Sequence, residues 1–251
     1  MESYSRDAKL LFLTEDSVAV PAVSALQMRE LDRIAVEETG PNLYQMMENA
    51  GRTLAEFSLQ RLGTAWKNAL ILVLAGGGGN GGGGICAARQ LANRGAQVQI
   101  CIADERNLAE VPAFQRKLFK SAGGVELAPA DLGQQHPDLV IDALIGYGLR
   151  SAPTGTVADL IEWAAAVSGS VISLDVPSGV NATSGEKPGS AIKPLATLTL
   201  ALPKTGLKPE MTGELFLADI GIPQAVYRRV VPDYVSPFGN RFWIPLTTKV
   251  W

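Results

Sequence analysis

The sequence contains one histidine and two cysteines in 251 residues, and this scarcity excludes several kinds of metal and nucleophile site. Zinc sites use clusters of cysteine and histidine, but the chain has neither a C-x-x-C pair nor a second histidine. Ser–His or Cys–His catalysis would have to use His136, which we predict to lie in a surface turn before a strand. Cys86 and Cys101 lie within apolar runs, so we expect buried free thiols and a reducing compartment.

The sequence also lacks a strong net charge and a long apolar run. A net charge of −3 provides no basic field for a polyanion, so we expect no nucleic-acid partner. No apolar run approaches the length of a membrane span. The apolar stretch at residues 10–13 is too short for a signal peptide and is followed by Glu15 and Asp16. We therefore expect a cytoplasmic protein without a membrane partner.

What the sequence does contain is a regular alternation of apolar strands with amphipathic helices. Apolar runs predict strands over residues 69–75, 98–102, 139–141, 170–174, 195–202 and 215–218. Helical periodicity predicts helices over residues 85–93, 112–122 and 157–167, the last begun by a Thr156–Asp159 capping box. Two further helices, beginning at Ser24 and after Asn42, precede the strands. This order is typical of one α/β domain with a mostly parallel central sheet, mixed at its far edge because the last strands lack intervening helices.

A glycine run follows the first of these buried strands. Eight of the nine residues from 76 to 84 are glycine, and Asn80 is the exception. A disordered linker would be out of place between a buried strand and a helix, so we predict a loop whose backbone approaches the phosphates of a nucleotide-like ligand. Gly84 is followed by Ile85 rather than by Lys-Ser/Thr, which excludes an ATP-hydrolysing P-loop.

Charged side chains follow three other predicted strands at their ends. Asp142 follows residues 139–141, Asp175 follows residues 170–174, and Lys204 follows residues 195–202. Each aspartate alone is better explained as a turn or helix cap. Since the carboxyl ends of parallel strands meet at one edge of a sheet, two such aspartates beside a glycine run favour a binding site.

The motifs taken together resemble one known family, the NAD(P)HX epimerases, also called the YjeF N-terminal domain. The resemblance extends from about residue 23 to residue 226. Its motifs are the M-R-E-L-D and M-E-N-A-G segments at Met28 and Met47, the glycine run, I-D-A-L-I-G at Ile141, L-D-V-P-S-G-V at Leu174, P-K-x-G at Pro203, and D-I-G-I-P at Asp219. They occur in the family's order, which makes the match specific.

The resemblance implies a Rossmann-like three-layer αβα sandwich, commonly a homodimer. Family members interconvert the R and S epimers of NADH or NADPH that has been hydrated on the nicotinamide ring. A separate NAD(P)H-hydrate dehydratase then restores the coenzyme from the S form with ATP or ADP. We divide the chain accordingly into an irregular N-terminal arm (residues 1–22), a YjeF N-terminal-like domain (23–230) and an aromatic C-terminal tail (231–251). The sequence does not distinguish NADH hydrate from NADPH hydrate.

The resemblance also implies a set of site residues. Potassium would be held by oxygen atoms of Asn80, Asp142 and Ser178. The binding site for the hydrate would be lined by Gly79, Asn80, Gly81, Gly82, Gly83, Gly146, Tyr147, Gly148, Leu149, Arg150, Ser151, Ala152 and Asp175. The hydroxylated ring carbon is bonded to the ring nitrogen, so loss of hydroxide or ring opening permits epimerisation. Either route needs a proton delivered and retrieved, and we expect Asp175 to be the acid/base.

Two substitutions in the glycine run leave an alternative open. Gly79 and Gly83 stand where the family usually has asparagine and aspartate. A catalytically weakened nucleotide-binding, regulatory or scaffold protein of the same fold is therefore the alternative hypothesis. A nicotinamide dehydrogenase, with Asp104 contacting a ribose, explains the glycine run but not the Asp142 and Asp175 motifs. The aromatic residues of the tail would pack on the domain, form a dimer interface or meet a partner.

Overall fold

The computed structural model describes residues 10–167 and 170–250, which form one ten-stranded sheet covered by helices. The strands are β1 Leu10–Leu13, β2 Ala19–Val20, β3 Leu70–Ala75, β4 Gln97–Ile102, β5 Val125–Leu127, β6 Leu139–Ala143, β7 Ser170–Leu174, β8 Ala196–Leu200, β9 Glu214–Ala218 and β10 Trp243–Val250. Their order in the sheet is β2-β1-β10-β9-β8-β7-β6-β3-β4-β5.

Seven helices accompany these strands within the described residues. They are α1 Ala25–Ile34, α2 Leu43–Leu62, α3 Gly79–Ala92, α4 Glu110–Ser121, α5 Gly155–Ala166, α6 Pro209–Thr212 and α7 Gln224–Val230. Residues 35–39 extend α1 as a π-helical turn, and 3-10 turns cover residues 63–67, 105–107 and 129–134. None of the helices in this part of the chain combines the length and the apolar character that crossing a membrane requires.

The predicted three-layer αβα sandwich is confirmed. Seven strands run parallel, in the order β5, β4, β3, β6, β7, β8 and β9. At the far edge, β10 and β1 join the sheet antiparallel, which confirms the predicted mixed edge. On one face of β3, Val73 packs with Leu54 of α2 and Ile85 of α3. On the other face, Leu74 packs with Ile161 of α5. Burial on both faces explains why this strand reads as an unbroken apolar run.

Local signals placed the first two helices correctly but the start of α5 incorrectly. Ser24 accepts a hydrogen bond from the backbone N–H of Gln27 at 3.2 Å, as the predicted capping box requires. The predicted box at Thr156 and Asp159 is wrong, because α5 begins at Gly155 and no side chain caps it. Gly155 has a φ of +57°, so a glycine makes the turn into this helix.

The N-terminal segment differs from the predicted irregular arm. Strand β1 pairs with β10, and β2 pairs with β1, so both segments extend the central sheet. Phe12, in β1, is buried. The prediction of irregular structure is therefore wrong for these two strands, whose short alternating patterns gave little signal. Residues 1–9 of the predicted arm lie outside the described residues, and the division of the chain at residues 22 and 230 stays a prediction.

The aromatic tail packs mainly on the domain. Tyr234 and Phe238 are buried, and Tyr234 stacks on Tyr227 with ring centroids 4.2 Å apart. Trp243 contacts the ring of Phe57 at a centroid distance of 5.2 Å. Of the remaining tail aromatics, Phe242 is exposed and Trp251 lies outside the described residues. Three of these aromatic side chains therefore pack on the domain.

Smaller expectations from the scarce residues are also confirmed. His136 is exposed in the loop before β6. Cys86 and Cys101 are buried and free, and burial raises the pKa of each thiol to about 12. Neither thiol is activated as a nucleophile at neutral pH.

The topology places a crevice at the carboxyl edge of the sheet. From β3 the chain proceeds outward to β4 and β5, then returns to the other side of β3 as β6. Ligands of open α/β sheets bind at such a reversal, outside the carboxyl ends of the strands. The ends of β3, β6, β7 and β8 are therefore where the candidate site is built.

Candidate functional site

A cavity of about 710 Å³ opens at this edge of the sheet. Its walls come from α1, the first half of α2, the start of α3, the start of α4 and the loops after β6, β7 and β8. This volume lies within the range of small-molecule and cofactor sites. Asp175, Lys204, Asp32 and Tyr147 all line it.

The glycine run borders the cavity, but as a helix rather than a loop. Helix α3 begins at Gly79, so five of the eight glycines lie in its first two turns. A Cβ on Gly81 would lie 1.8 Å from the carbonyl oxygen of Gly76, and one on Gly84 would lie 2.5 Å from Cβ of Ala143. These glycines permit close packing of α3 on the chain around it, which outweighs glycine's poor helix propensity.

The predicted hydrate-lining glycines divide into two groups. Gly79 and Gly83 line the cavity together with Asn80. The expectation that Gly81 and Gly82 line it is not met, because Gly81 packs on Gly76 and a Cβ on Gly82 would lie 2.4 Å from Sδ of Met47. The N-terminus of α3 thus faces the cavity with free backbone N–H groups, an arrangement that favours an anion.

The two departures from the family pattern have room for a side chain. A Cβ on Gly79 would meet no atom within 4 Å, and one on Gly83 would meet only Cδ2 of Leu174, at 2.9 Å. Leu174 carries this atom at the flexible end of its side chain. Packing therefore does not require glycine at positions 79 and 83, whereas it does at positions 81 and 84.

Asp175 lies at the centre of the cavity wall. The residue is 3% exposed and has a φ of +66°, a left-handed conformation that is strained for an ordinary residue. Its Oδ1 accepts hydrogen bonds from the backbone N–H of Leu200 at 3.2 Å, from Thr199 Oγ1 at 3.4 Å and from Lys204 Nζ. Its Oδ2 accepts one, from the backbone N–H of Tyr147 at 3.1 Å. Oδ2 is therefore the carboxylate oxygen with capacity left for a ligand.

Lys204 is fully buried, which is rare for a lysine and requires compensation. Its Nζ forms an ion pair with Asp175 and donates to the carbonyl oxygen of Leu200 at 2.8 Å and to Thr199 Oγ1 at 3.3 Å. The segment around it is fixed by a bridge to Val23, whose N–H donates to Pro203 at 3.0 Å. The sequence placed Lys204 at a strand end, but not against Asp175.

Asp142 lies deeper than Asp175 and is fully buried at the end of β6. Its Oδ1 accepts from Ser178 Oγ at 2.5 Å, and its Oδ2 accepts from Ser173 Oγ at 2.7 Å and from the N–H of Ser178 at 2.9 Å. Burial raises its pKa, while these donors lower it. Among the described residues no cation pairs with this carboxylate.

Asn80 has an unsatisfied side chain. Both its Oδ1 and its Nδ2 are buried, and neither has a hydrogen-bond partner in the described structure. A Cβ added to Gly146 would lie 3.1 Å from Asn80 Oδ1 and 2.9 Å from Asp175 Oδ2, so both oxygens lie close to Gly146. Buried polar atoms without partners are uncommon in native structures and point to a missing ligand.

The loop after β6 contributes part of its predicted lining. Gly146, Tyr147, Gly148 and Arg150 line the cavity. Leu149, Ser151 and Ala152 do not, contrary to the expectation for the whole segment.

Asp104, the candidate ribose contact of a dehydrogenase, has a local structural explanation. It is exposed, and its carboxylate accepts from Asn107 Nδ2 at 2.6 Å and from the N–H of Arg106 at 3.1 Å. Asp104 thus caps the 3-10 turn that follows β4. It does not line the cavity that holds Asp175.

The structure adds one contact that sequence reasoning did not predict, between Tyr147 and Asp32. Tyr147 donates its phenol hydrogen to Asp32 Oδ2, with an O–O distance of 2.5 Å. Burial raises the pKa of Asp32 to about 6. Asp32 lies in the M-R-E-L-D segment, so its motif was noticed, but its approach to Tyr147 depends on the packing of α1 over the sheet.

A family model described as "YjeF-related protein N-terminus" matches residues 43–206 of the chain. A protein of Dehalogenimonas lykanthroporepellens named NAD(P)H-hydrate epimerase is 52% identical over 96% of this chain and 98% of its own length. A bifunctional NAD(P)H-hydrate repair enzyme of Hyperthermus butylicus is 36% identical over 86% of this chain, but the match covers 41% of that longer protein.

A solved structure agrees with the fold. The crystal structure of a yeast protein superposes with a TM-score of 0.77 over 90% of this chain and all of the yeast chain, at 20% identity. At that identity the likeness concerns the fold alone. It shows that the sheet and its helices follow an arrangement already seen by experiment.

Proposed function

The chain belongs to the family of YjeF-related protein N-terminal domains, and from that premise we propose that it is an NAD(P)H-hydrate epimerase. It would interconvert the R and S epimers of hydrated NADH or NADPH. The observation that carries this proposal is the buried Asp175–Lys204 pair, which leaves one carboxylate oxygen directed at the cavity. The near full-length relative named as an epimerase supports it.

In this proposal Asp175 exchanges the proton of the hydroxyl group on the ring. Three donors on Oδ1 fix the carboxylate, so Oδ2 meets the substrate without reorganisation. Loss of water from the hydrate gives a planar iminium ion, and water re-enters from the other face. Positioned proton transfer of this kind accelerates reactions by about 10²- to 10⁴-fold.

The remainder of the hydrate would lie along the cavity. The N-terminus of α3 at Gly79 offers backbone N–H groups to the phosphates, and Arg150 adds a positive charge to the lining of the cavity. Gly146 lets the ligand approach Asp175 and Asn80, since a side chain there would contact both. These contacts would bind and orient the coenzyme without taking part in bond breaking.

We also propose potassium as the bound cation, held by Asn80, Asp142 and Ser178. The chemistry of these residues fits a hard monovalent ion, because each supplies an oxygen. Two observations support the fit: the unsatisfied Asn80 Oδ1 and the buried Asp142 carboxylate without a cationic partner. When bound, the ion would supply positive charge to the loops around the cavity and hold them in place.

The proposed partners follow from the reaction. An epimerase supplies the S hydrate to a dehydratase, and the relatives named as bifunctional repair enzymes are longer than this chain. We propose that a separate NAD(P)H-hydrate dehydratase acts next in sequence. A cytoplasmic homodimer is proposed on the resemblance to the family.

A coupled assay tests the proposed function. The protein is given R hydrate together with an S-specific dehydratase and ATP, and the formation of reduced coenzyme is followed at 340 nm. We expect a rate well above spontaneous epimerisation, and a higher rate in potassium chloride than in choline chloride. A rate equal to the protein-free control would refute the enzyme proposal.

The alternative of a weakened, ligand-binding relative keeps one supporting observation, the open space at Gly79 and Gly83. Gly83→Asp tests it in the same assay, because the family aspartate fits there if Leu174 shifts slightly. Hydrate binding without turnover in the unaltered protein, together with turnover in Gly83→Asp, would favour the alternative. Equal turnover in both proteins would favour the epimerase.

A further inference from the structure

Asp32 and Tyr147 form a hydrogen-bonded pair inside the cavity, separate from Asp175. Asp32 belongs to α1, whereas Tyr147 belongs to the loop after β6, so the contact joins two walls. The phenol donates to the carboxylate at 2.5 Å, at the short end of the range for charge-assisted O–H···O⁻ bonds. Both residues line the cavity. The pair is thus an acid/base group already within reach of a bound ligand.

Tyr147 connects this pair to Asp175. Its backbone N–H donates to Asp175 Oδ2 at 3.1 Å, while its phenol donates to Asp32. Tyr147 thus donates one hydrogen bond to each carboxylate, from its backbone N–H to Asp175 and from its phenol to Asp32. The side chain of Tyr147 separates these two donors, so the two carboxylates lie at different places on the cavity wall and a ligand can contact both.

Epimerisation requires proton transfer on both sides of the ring. The hydroxyl oxygen leaves one face of the nicotinamide ring and is found on the other face at the end. In the dehydration route, one group gives a proton to the departing hydroxyl, the carbon–oxygen bond breaks with its electron pair on oxygen, and water leaves. Water then attacks the iminium carbon from the other face, and a second group accepts the proton that it loses. No oxidant or further reactant is needed.

Resting on the proposed epimerase function, we propose that Asp32 and Tyr147 are the second acid/base group, which serves the ring face opposite Asp175. The Tyr147 phenol faces the incoming water, accepts its proton and passes its own proton to Asp32. Asp175, with Lys204 beside it, serves the departing hydroxyl. Asp175 takes up a proton from solvent before the step, and Asp32 returns its proton to solvent after the product leaves, so the proton count closes over each turnover. In the reverse direction the two groups exchange duties.

The electrostatic setting of Asp32 suits this use. Burial raises its pKa to about 6, the Tyr147 hydrogen bond and the Lys204 charge lower it, and the Asp175 charge raises it. Two further groups interact with the pair: the charge of Asp32 raises the pKa of Tyr227 in α7, and the charge of Arg29 in α1 lowers the pKa of Tyr147. A base with a pKa near 6 is mostly ionised at neutral pH and still accepts a proton readily.

The test is the pH profile of kcat/KM between pH 5 and 8, corrected for the protein-free rate. The unaltered protein should lose activity as the pH falls through about 6, because Asp32 must be ionised to accept a proton. Asp32→Asn should lower kcat/KM about 100-fold, leave KM nearly unchanged and abolish this acidic limb. Tyr147→Phe should cause a similar loss, and the double variant should be no worse than either, because the two residues act as one group.

The controls separate failure of this inference from failure of the proposed function. Glu30→Gln, on the exposed side of α1 where Glu30 pairs with Arg33, should keep the wild-type profile. Circular dichroism and thermal melting should show each variant folded. Wild-type activity that is lost in Asp175→Asn but kept, with its acidic limb, in Asp32→Asn and Tyr147→Phe would overturn the second group alone. Absence of wild-type activity would instead overturn the epimerase proposal and this inference with it.

Discussion

Asp142 and Asp175 end neighbouring parallel strands, yet the protein gives them opposite surroundings. Asp142 is fully buried, accepts four hydrogen bonds from neutral groups and has no cationic partner among the described residues. Asp175 is paired with Lys204 and keeps one oxygen directed at the cavity. Equivalent positions in the topology therefore do not imply equivalent chemistry.

The difference begins in the residues that follow each strand. Ser178, from the loop after β7, approaches Asp142 and donates two hydrogen bonds to its carboxylate. Asp175 itself adopts a left-handed φ of +66°, and this turn directs its side chain away from the sheet towards the cavity. The strained backbone of Asp175 thus distinguishes it, as a carboxylate that contacts a ligand, from Asp142, whose carboxylate holds loops together.

The largest effect expected from this comparison is on activity. Asp175→Asn removes the proton-exchanging group while keeping the shape of the side chain. We expect kcat/KM for hydrate epimerisation to fall about 10²- to 10⁴-fold, with an unchanged circular dichroism spectrum. The coupled assay measures it. An Asp175→Asn protein as active as the wild type would show that Asp175, like Asp142, does not exchange the proton in this reaction.

Much of this arrangement was predictable from strand ends. The unbroken apolar run at residues 69–75 located β3 within one residue, and the meeting of parallel strand ends predicted that Asp142 and Asp175 lie at one edge. These predictions succeed because burial on both faces leaves a strong sequence signal. The relative depth of the two aspartates leaves none, since it depends on a single backbone angle.

Other features depended on tertiary packing and so escaped prediction. The glycines of α3 look like a loop by propensity, and only their close contact with neighbouring chain makes them helical. Strand β10 is the partner of β9 and β1, a pairing between distant segments with weak local patterns. Asp32 meets Tyr147 across 115 positions of sequence. Contacts between residues so far apart in the sequence leave no periodic pattern from which they could be predicted.

The second expected effect is on stability, and it concerns the counter-charge of Asp175. Lys204→Met leaves a buried carboxylate without its cation, which typically costs about 3–5 kcal/mol of unfolding free energy. The matched control is the double variant Lys204→Met with Asp175→Asn, in which no buried charge is left. Urea unfolding should find the double variant more stable than Lys204→Met alone. The opposite order would mean that the ion pair does not determine the stability of this wall.

The smallest expected effect tests the Asp142 side of the comparison. Ser178→Ala removes the hydroxyl that donates to Asp142 at 2.5 Å but keeps the backbone N–H bond at 2.9 Å. Loss of one donor to a buried group costs about 1–3 kcal/mol, whereas Ser121→Ala, at an exposed position of α4, should cost much less. Urea unfolding at several pH values measures both variants.

The pH dependence of that loss shows whether the charge of Asp142 matters. Burial raises the folded-state pKa of Asp142, while the Ser178 hydroxyl lowers it by stabilising the ionised form. Without the hydroxyl this pKa rises further, so the Ser178→Ala loss is greatest where Asp142 is ionised and shrinks as falling pH protonates it. A loss that is the same at every pH would mean that Ser178 acts through packing rather than through the charge of Asp142.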